Sequence, residues 1–232
     1  DYTPREFDSR AGYMSISFMD FASPIDEQIV KKFIARHRLI KKQPHLEISE
    51  PVDPIIYYLD RGTPEPVRSA LIEGGNWWNE AFEYAGFKNA FRVEVAPEGM
   101  DLLDVRYNAI QWVHRSTRGW SYGASVKDPR TGEIIKGHVS LGSLRVRQDY
   151  LIAQGLLQPF KTDDSGDERM LQMALARLRQ LSAHEIGHTL GLSHNFSSSA
   201  SGRSSVMDYP HPLITGDNDD LNFDIAYDTK IG

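Results

Sequence analysis

The run His184-Glu185-Ile186-Gly187-His188-Thr189-Leu190-Gly191-Leu192-Ser193-His194 constrains this chain more than any other stretch. Two histidines four residues apart on a helix lie about 40° apart around its axis, so both imidazoles can reach one cation. Glu185, one residue on from the first histidine, points to a neighbouring position, where it can hold a water on that cation without ligating it. Gly191 supplies a residue able to take φ > 0 and end the helix, which lets the chain turn back and bring His194 to the same ion. Three neutral imidazoles and one open position make a catalytic rather than a structural zinc site. The spacing therefore nominates His184, His188 and His194 as ligands of Zn2+, with Glu185 as a general base and then acid.

Composition narrows the alternatives. A chain of 232 residues with 40% hydrophobic and 25% charged residues can bury a substantial core and reads as an ordinary globular protein. The net charge of −6 and the lack of a Lys/Arg-rich block argue against a nucleic-acid surface. No apolar run approaches the roughly 18 residues of a membrane span. The absence of cysteine excludes disulfides, thiolate metal sites and thiol nucleophiles, and no Gly-x-Ser-x-Gly elbow offers a serine instead. The chain begins at Asp1 without a signal h-region, and it is expected to have been excised from something longer.

Residues 1–50 are polar and punctuated and read as an N-terminal arm or docking segment ahead of a catalytic domain over 51–232. Residues 12–21 alternate well enough for a strand, whereas Ser23-Pro24 with Asp26 and Glu27 looks like a helix start leading into Ile29, Val30, Phe33 and Ile34. The basic run over residues 36–42 reads as a solvated face. Ile55-Ile56-Tyr57-Tyr58-Leu59 is a continuous apolar run typical of a buried strand, and 91–95 and 105–113 are further strands. Between the first two, a helix entered at Pro64 and Pro66 continues to Gly86, with a kink or break expected at Gly74-Gly75. Residues 122–127 and 133–141 flank a Pro- and Gly-bearing turn and form a hairpin. A short helix is expected over 148–157, and a long helix of about two dozen residues starts near Asp167 and carries the first two histidines in its last turns. The fold class is thus α/β (α+β): a mixed, mostly parallel twisted sheet with an antiparallel edge strand, a backing helix and a long active-site helix. The acidic cluster over 163–168 reads as helix capping. Asp217-Asn218-Asp219-Asp220 reads as a solvated loop with a minor calcium option.

The zinc motif followed by Ser205-Val206-Met207-Asp208-Tyr209 resembles the metzincin zinc endopeptidases, with both the elongated motif and the Met-turn present. Asn195 stands where astacins have an acid and serralysins a proline. The chain is more similar to the bacterial group described as zinc-dependent metzincin-type metallopeptidases, large multidomain extracytoplasmic proteins. Residues 107–116 and 137–143 look typical of that group and extend the resemblance over most of 51–210. The resemblance implies hydrolysis of peptide bonds by a metal-activated water, an edge strand over 121–127 that pairs with an extended peptide or protein substrate, and Met207 as a hydrophobic floor. It also implies that Tyr209 is catalytic, ligating zinc or turning toward the oxyanion; a plain pocket wall is the alternative. Further flanking domains and a periplasmic, cell-surface or secreted location are implied as well. Metzincins place a helix after the Met-turn, and residues 210–232 show no convincing one, so the chain is expected to be clipped at that end. Two other readings stay open: a peptide-binding module with a vestigial or structural zinc site, and a zinc amidase acting on non-protein substrates.

Overall fold

The computed structural model describes residues 2–116, 120–157, 167–202, 205–209, 211–217 and 220–232. Its framework is a six-stranded sheet. Five strands, β3 (Arg36–His37), β4 (Ile55–Leu59), β5 (Phe91–Val95), β6 (Asn108–Val113) and β8 (Glu133–Gly142), lie in the order β3-β8-β6-β4-β5. All neighbours in that order run parallel, and β7 (Tyr122–Lys127) pairs antiparallel with β8. A small hairpin of β1 (Ser15–Met19) and β2 (Val30–Ile34) precedes this sheet, and β9 (Thr215–Asp217) and β10 (Asp220–Asn222) form another near the C-terminus.

Parallel strands need both faces covered, and the burial of β4 shows how: Ile55, Tyr57 and Leu59 are buried while Ile56 and Tyr58 are half-buried. The helices α1 (Val67–Asn76), α2 (Trp78–Tyr84), α3 (Leu144–Leu157) and α4 (Asp167–Thr189) supply much of that cover. Leu71 of α1, Leu178 and Ile186 of α4, and Phe91, Ile110 and Leu141 of the sheet form the central core. Each such side chain contributes about 1.5–3 kcal/mol on burial. Directed bonds then fix α4 in place. Tyr57 Oη and Thr189 Oγ1 lie 2.7 Å apart in the core, Ser182 Oγ donates to Leu71 O (2.8 Å), and Trp78 Nε1 donates to Ala183 O (2.8 Å).

The strands at 55–59 and 91–95 and the long helix stand where the sequence places them. The hairpin also forms: Gly132 takes φ 78°, its N–H donates to Asp128 O (2.9 Å), and a bulge falls between Val126 and Lys127. Four elements differ from expectation. Residues 30–34 are a strand and not a helix, because pairing with β1 from Ser15↔Ile34 to Met19↔Val30 gives their backbone groups partners, and branched Val30 and Ile34 suit a strand. The helix break falls at Trp77; Gly74 and Gly75 remain helical because they are contact points against α4 and the sheet. The strand expected from 105 starts at Asn108, since Asp104 folds residues 104–107 into a turn, accepting from the Arg106 N–H (2.9 Å). Finally, α3 starts at Leu144, before the expected 148.

Much of the basic run is paired: Arg38 makes a two-pronged contact with Glu133 of β8 (2.7 and 2.9 Å), and Lys42 meets Glu50 (3.1 Å). Residues 162–166, and Asn218 and Asp219 of the oxygen-rich loop, lie outside the described residues.

Candidate metal centre

The long helix positions the first part of the site. His184, Glu185 and His188 occupy the last two turns of α4, whose apolar residues lock it to the sheet. Gly191, at φ 101°, stops the helix: Gly191 N–H returns to His188 O (3.1 Å) and Leu192 N–H to Gly187 O (3.0 Å). That pair of bonds is a Schellman ending, which needs a residue at ease in the left-handed region. The reversed chain then carries His194 back beside the helix. His188 Nε2 and His194 Nε2 lie 3.0 Å apart, and one ligand atom from each of His184, His188 and His194 lies within 4.8 Å of the others.

Two backbone carbonyls set the ring tautomers. His184 Nδ1 lies 2.7 Å from Val206 O and His188 Nδ1 lies 2.9 Å from Leu192 O. A carbonyl only accepts, so each Nδ1 carries the proton and each Nε2 keeps a lone pair for a cation. Burial pushes the His184 imidazole down to about 4 against the opposing pull of the Val206 carbonyl, and burial lowers His194 too. Both rings are therefore neutral near pH 7, as metal ligation requires. Tetrahedral zinc with bonds of about 2.0–2.1 Å separates its nitrogens by about 3.3 Å, a spacing that the trio brackets. The donor set fits Zn2+.

Glu185, next to His184 in α4, is buried. Burial raises its carboxyl to about 7, while the Gly123 N–H of β7 and the Arg177 guanidinium work in the opposite direction. An acid poised there can accept and return a proton. The Tyr209 ring stands beside the histidines, its centroid 4.6 Å from that of His194 and 5.2 Å from that of His184, with most of its surface exposed. Its position suits either a pocket wall or a donor.

Below the rings, the Met-turn braces the site. Met207 is buried with its sulfur against Gly187, Asn195 N–H donates to Met207 O (2.9 Å), and Val206 N–H donates to Ile231 O (3.0 Å). Asp208 is buried and holds the loop after His194: it accepts from Ser199 Oγ, from Ser198 Oγ (3.2 Å) and from the Tyr209 N–H (2.7 Å). The Ser199 bond above all draws its carboxyl below the ordinary value. Sequence reading singled out neither Asp208 nor Gly123 nor Arg177 for the site. The signals were weak: an acid inside the Met-turn, a glycine in an edge strand, and an arginine two turns before Glu185. Phe196, which stacks on Tyr209 with centroids 6.1 Å apart, was also missed.

Residues 166–232, which carry α4, all three histidines and the Met-turn, match the family model described as Met-zincin. The histidine-bearing segment is Met-zincin-like. Residues 1–42 match a second model, described as a domain of unknown function (DUF5117). Neither a curated protein nor a solved structure matches the chain. The Met-zincin match implies zinc and supports a zinc metallopeptidase-like function, in keeping with the mixed sheet and its antiparallel edge strand. The Met-zincin segment begins at the last residue before α4, and the sheet lies outside it.

Proposed function

We propose that this chain is a zinc-dependent endopeptidase acting on extended peptides. The observation that supports the reading is a cluster of three imidazole nitrogens at the end of the helix that also carries a buried carboxyl, Glu185, whose backbone lies against Gly123 of an edge strand. His184, His188 and His194 would hold the ion. When bound, zinc acidifies a water and polarises a carbonyl oxygen. Glu185 takes the proton of the attacking water and passes it to the departing nitrogen as the C–N bond breaks, which leaves a carboxyl and an amine product. Its burial keeps bulk water from competing for that proton. Tyr209 turns its hydroxyl toward the oxygen on which charge develops.

Strand β7 binds the substrate by adding it as a further strand. Among the described strands β7 pairs only with β8, and its position over α4 sets Gly123 against the Glu185 backbone. The family resemblance supports an extracytoplasmic setting, within a longer protein.

The test compares wild type with Glu185→Gln on a broad peptide library, with zinc measured in both. About one zinc per chain is expected in each. Turnover should fall about 10²- to 10⁴-fold in the variant. Cleavage at the wild-type rate by Glu185→Gln would remove that residue from the mechanism. Peptide capture without cleavage by the zinc-loaded wild type would favour a binding module, and hydrolysis restricted to non-peptide amides would favour an amidase.

A further inference from the structure

Far from the motif in sequence, residues 12–14 lie directly on the turn that joins its second and third histidines. Met14 N–H donates to Gly191 O (2.7 Å), Ser193 N–H donates to Gly12 O (2.9 Å), and Tyr13 faces Leu192 in an antiparallel bridge. On its other side Met14 O accepts from the Ala35 N–H (2.8 Å). Gly191 completes the stack: a Cβ there would overlap the Ala35 carbonyl oxygen and sit 3.0 Å from its carbon. The segment is thus held between the backbone just ahead of β3 and the 191–193 turn.

That turn has two tasks. Leu192 O holds the Nδ1–H of His188, and the next two residues deliver His194. The three rings are tied unequally. His184 and His188 are each oriented by a carbonyl, whereas the His194 ring has, among the described residues, no hydrogen bond besides its contact with His188 Nε2. The direction of His194 therefore depends on where the backbone of 191–193 is held, and Gly12 and Met14 supply bonds that hold it. A helix ending alone fixes Gly191 and Leu192 from one side only.

We propose that residues 12–14 are a positioning strand of the metal centre, setting the 191–193 turn so that His188 and His194 meet one ion. The proposal rests on the reading that the three histidines bind zinc. It gives the N-terminal stretch, which matches a family model separate from that of the histidines, a role in metal affinity and geometry.

The experiment removes the Met14 N–H from the full chain without altering the side chain, by an amide-to-ester replacement at Met14 made by semisynthesis. Met14→Pro is the genetically encoded version, and Met14→Ala, which keeps the N–H, is the control. Zinc affinity is measured by chelator competition, and Co2+ serves as a spectroscopic probe of ligand geometry. Loss of an outer-shell contact of this kind should weaken zinc binding about 10-fold and change the Co2+ absorption bands, at unchanged far-UV circular dichroism. Met14→Ala should stay within about twofold of wild type. An ester variant that binds zinc as wild type does, with the same Co2+ spectrum, overturns the proposal; if Met14→Pro fails to fold, the ester decides. A wild-type chain that takes up neither ion overturns the zinc reading itself.

Discussion

Gly187 lies between the first two histidines of α4 and has no room for a side chain. An added Cβ would overlap the Met207 sulfur and stand 2.7 Å from Trp78 Cζ2, a buried ring already committed to Ala183 O. The methionine is packed against the helix at the one position where the backbone is bare. Its neighbour Val206 supplies the carbonyl that orients His184, so a displaced Met207 carries that carbonyl with it. Gly187→Ala should therefore destabilise the fold by about 1–3 kcal/mol, the ordinary cost of overpacking, and lower zinc content as well. Urea unfolding and metal analysis of the purified variant check both, and wild-type values in both would show that Met207 is not seated by Gly187. At this scale the ligands were legible because a helix converts a spacing of four into a shared face. The groups that orient them were not, because Val206, Leu192 and Gly12 act through backbone atoms that no side-chain pattern records.

Among the elements, α1 and α3 show how a glycine can mean two things. At Gly74 a Cβ would lie 2.6 Å from Arg179 Cα in the backbone of α4, whereas at Gly155 in α3 nothing stands within 4 Å. Alanine is the better helix former by about 1 kcal/mol, which is the expected gain for Gly155→Ala. At Gly74 the collision is with main chain, which cannot swing aside, so Gly74→Ala should cost more than the propensity returns and lower stability by about 1–2 kcal/mol. Thermal or urea denaturation of the two variants should give shifts of opposite sign; a stabilised Gly74→Ala would mean that α1 is free to move off α4. Sequence reading treated Gly74-Gly75 as a helix kink or break because it weighs propensity without knowing what approaches. The same limit explains β2, where a helical spacing of Ile29, Val30, Phe33 and Ile34 lost to pairing with β1. Strands such as β4 were legible for the opposite reason, since a short run that is apolar throughout has few other places to go.

Across the whole molecule, the N-terminal stretch and the sheet meet at β3, where His37 pairs with Ile134 of β8. Such pairing is non-local and left no mark in the sequence, where His37 reads as part of a solvated basic run. Its Nε2 is instead sealed from solvent without a hydrogen-bond partner among the described residues. Burial pushes the imidazole down to about 4, with the Thr189 backbone and the Glu133 carboxylate pulling weakly the other way. In the unfolded chain the ordinary value is about 6.5. Between these two values the unfolded state binds a proton that the folded state refuses, so stability rises with pH across the window and falls as pH drops from about 6.5 toward 4. His37→Gln removes the titrating group and leaves this part of the acid sensitivity behind. The stability difference between wild type and variant should thus be constant above pH 7 and move in the variant's favour by on the order of 1–3 kcal/mol by pH 4. His184 and His194 titrate in both proteins, so taking the difference cancels their share. Urea midpoints measured in chelator at half-unit steps from pH 4 to 7.5 give the curve directly. Parallel curves for the two proteins would mean that His37 charges as freely in the fold as out of it, and that the junction between the N-terminal stretch and the sheet is open to water.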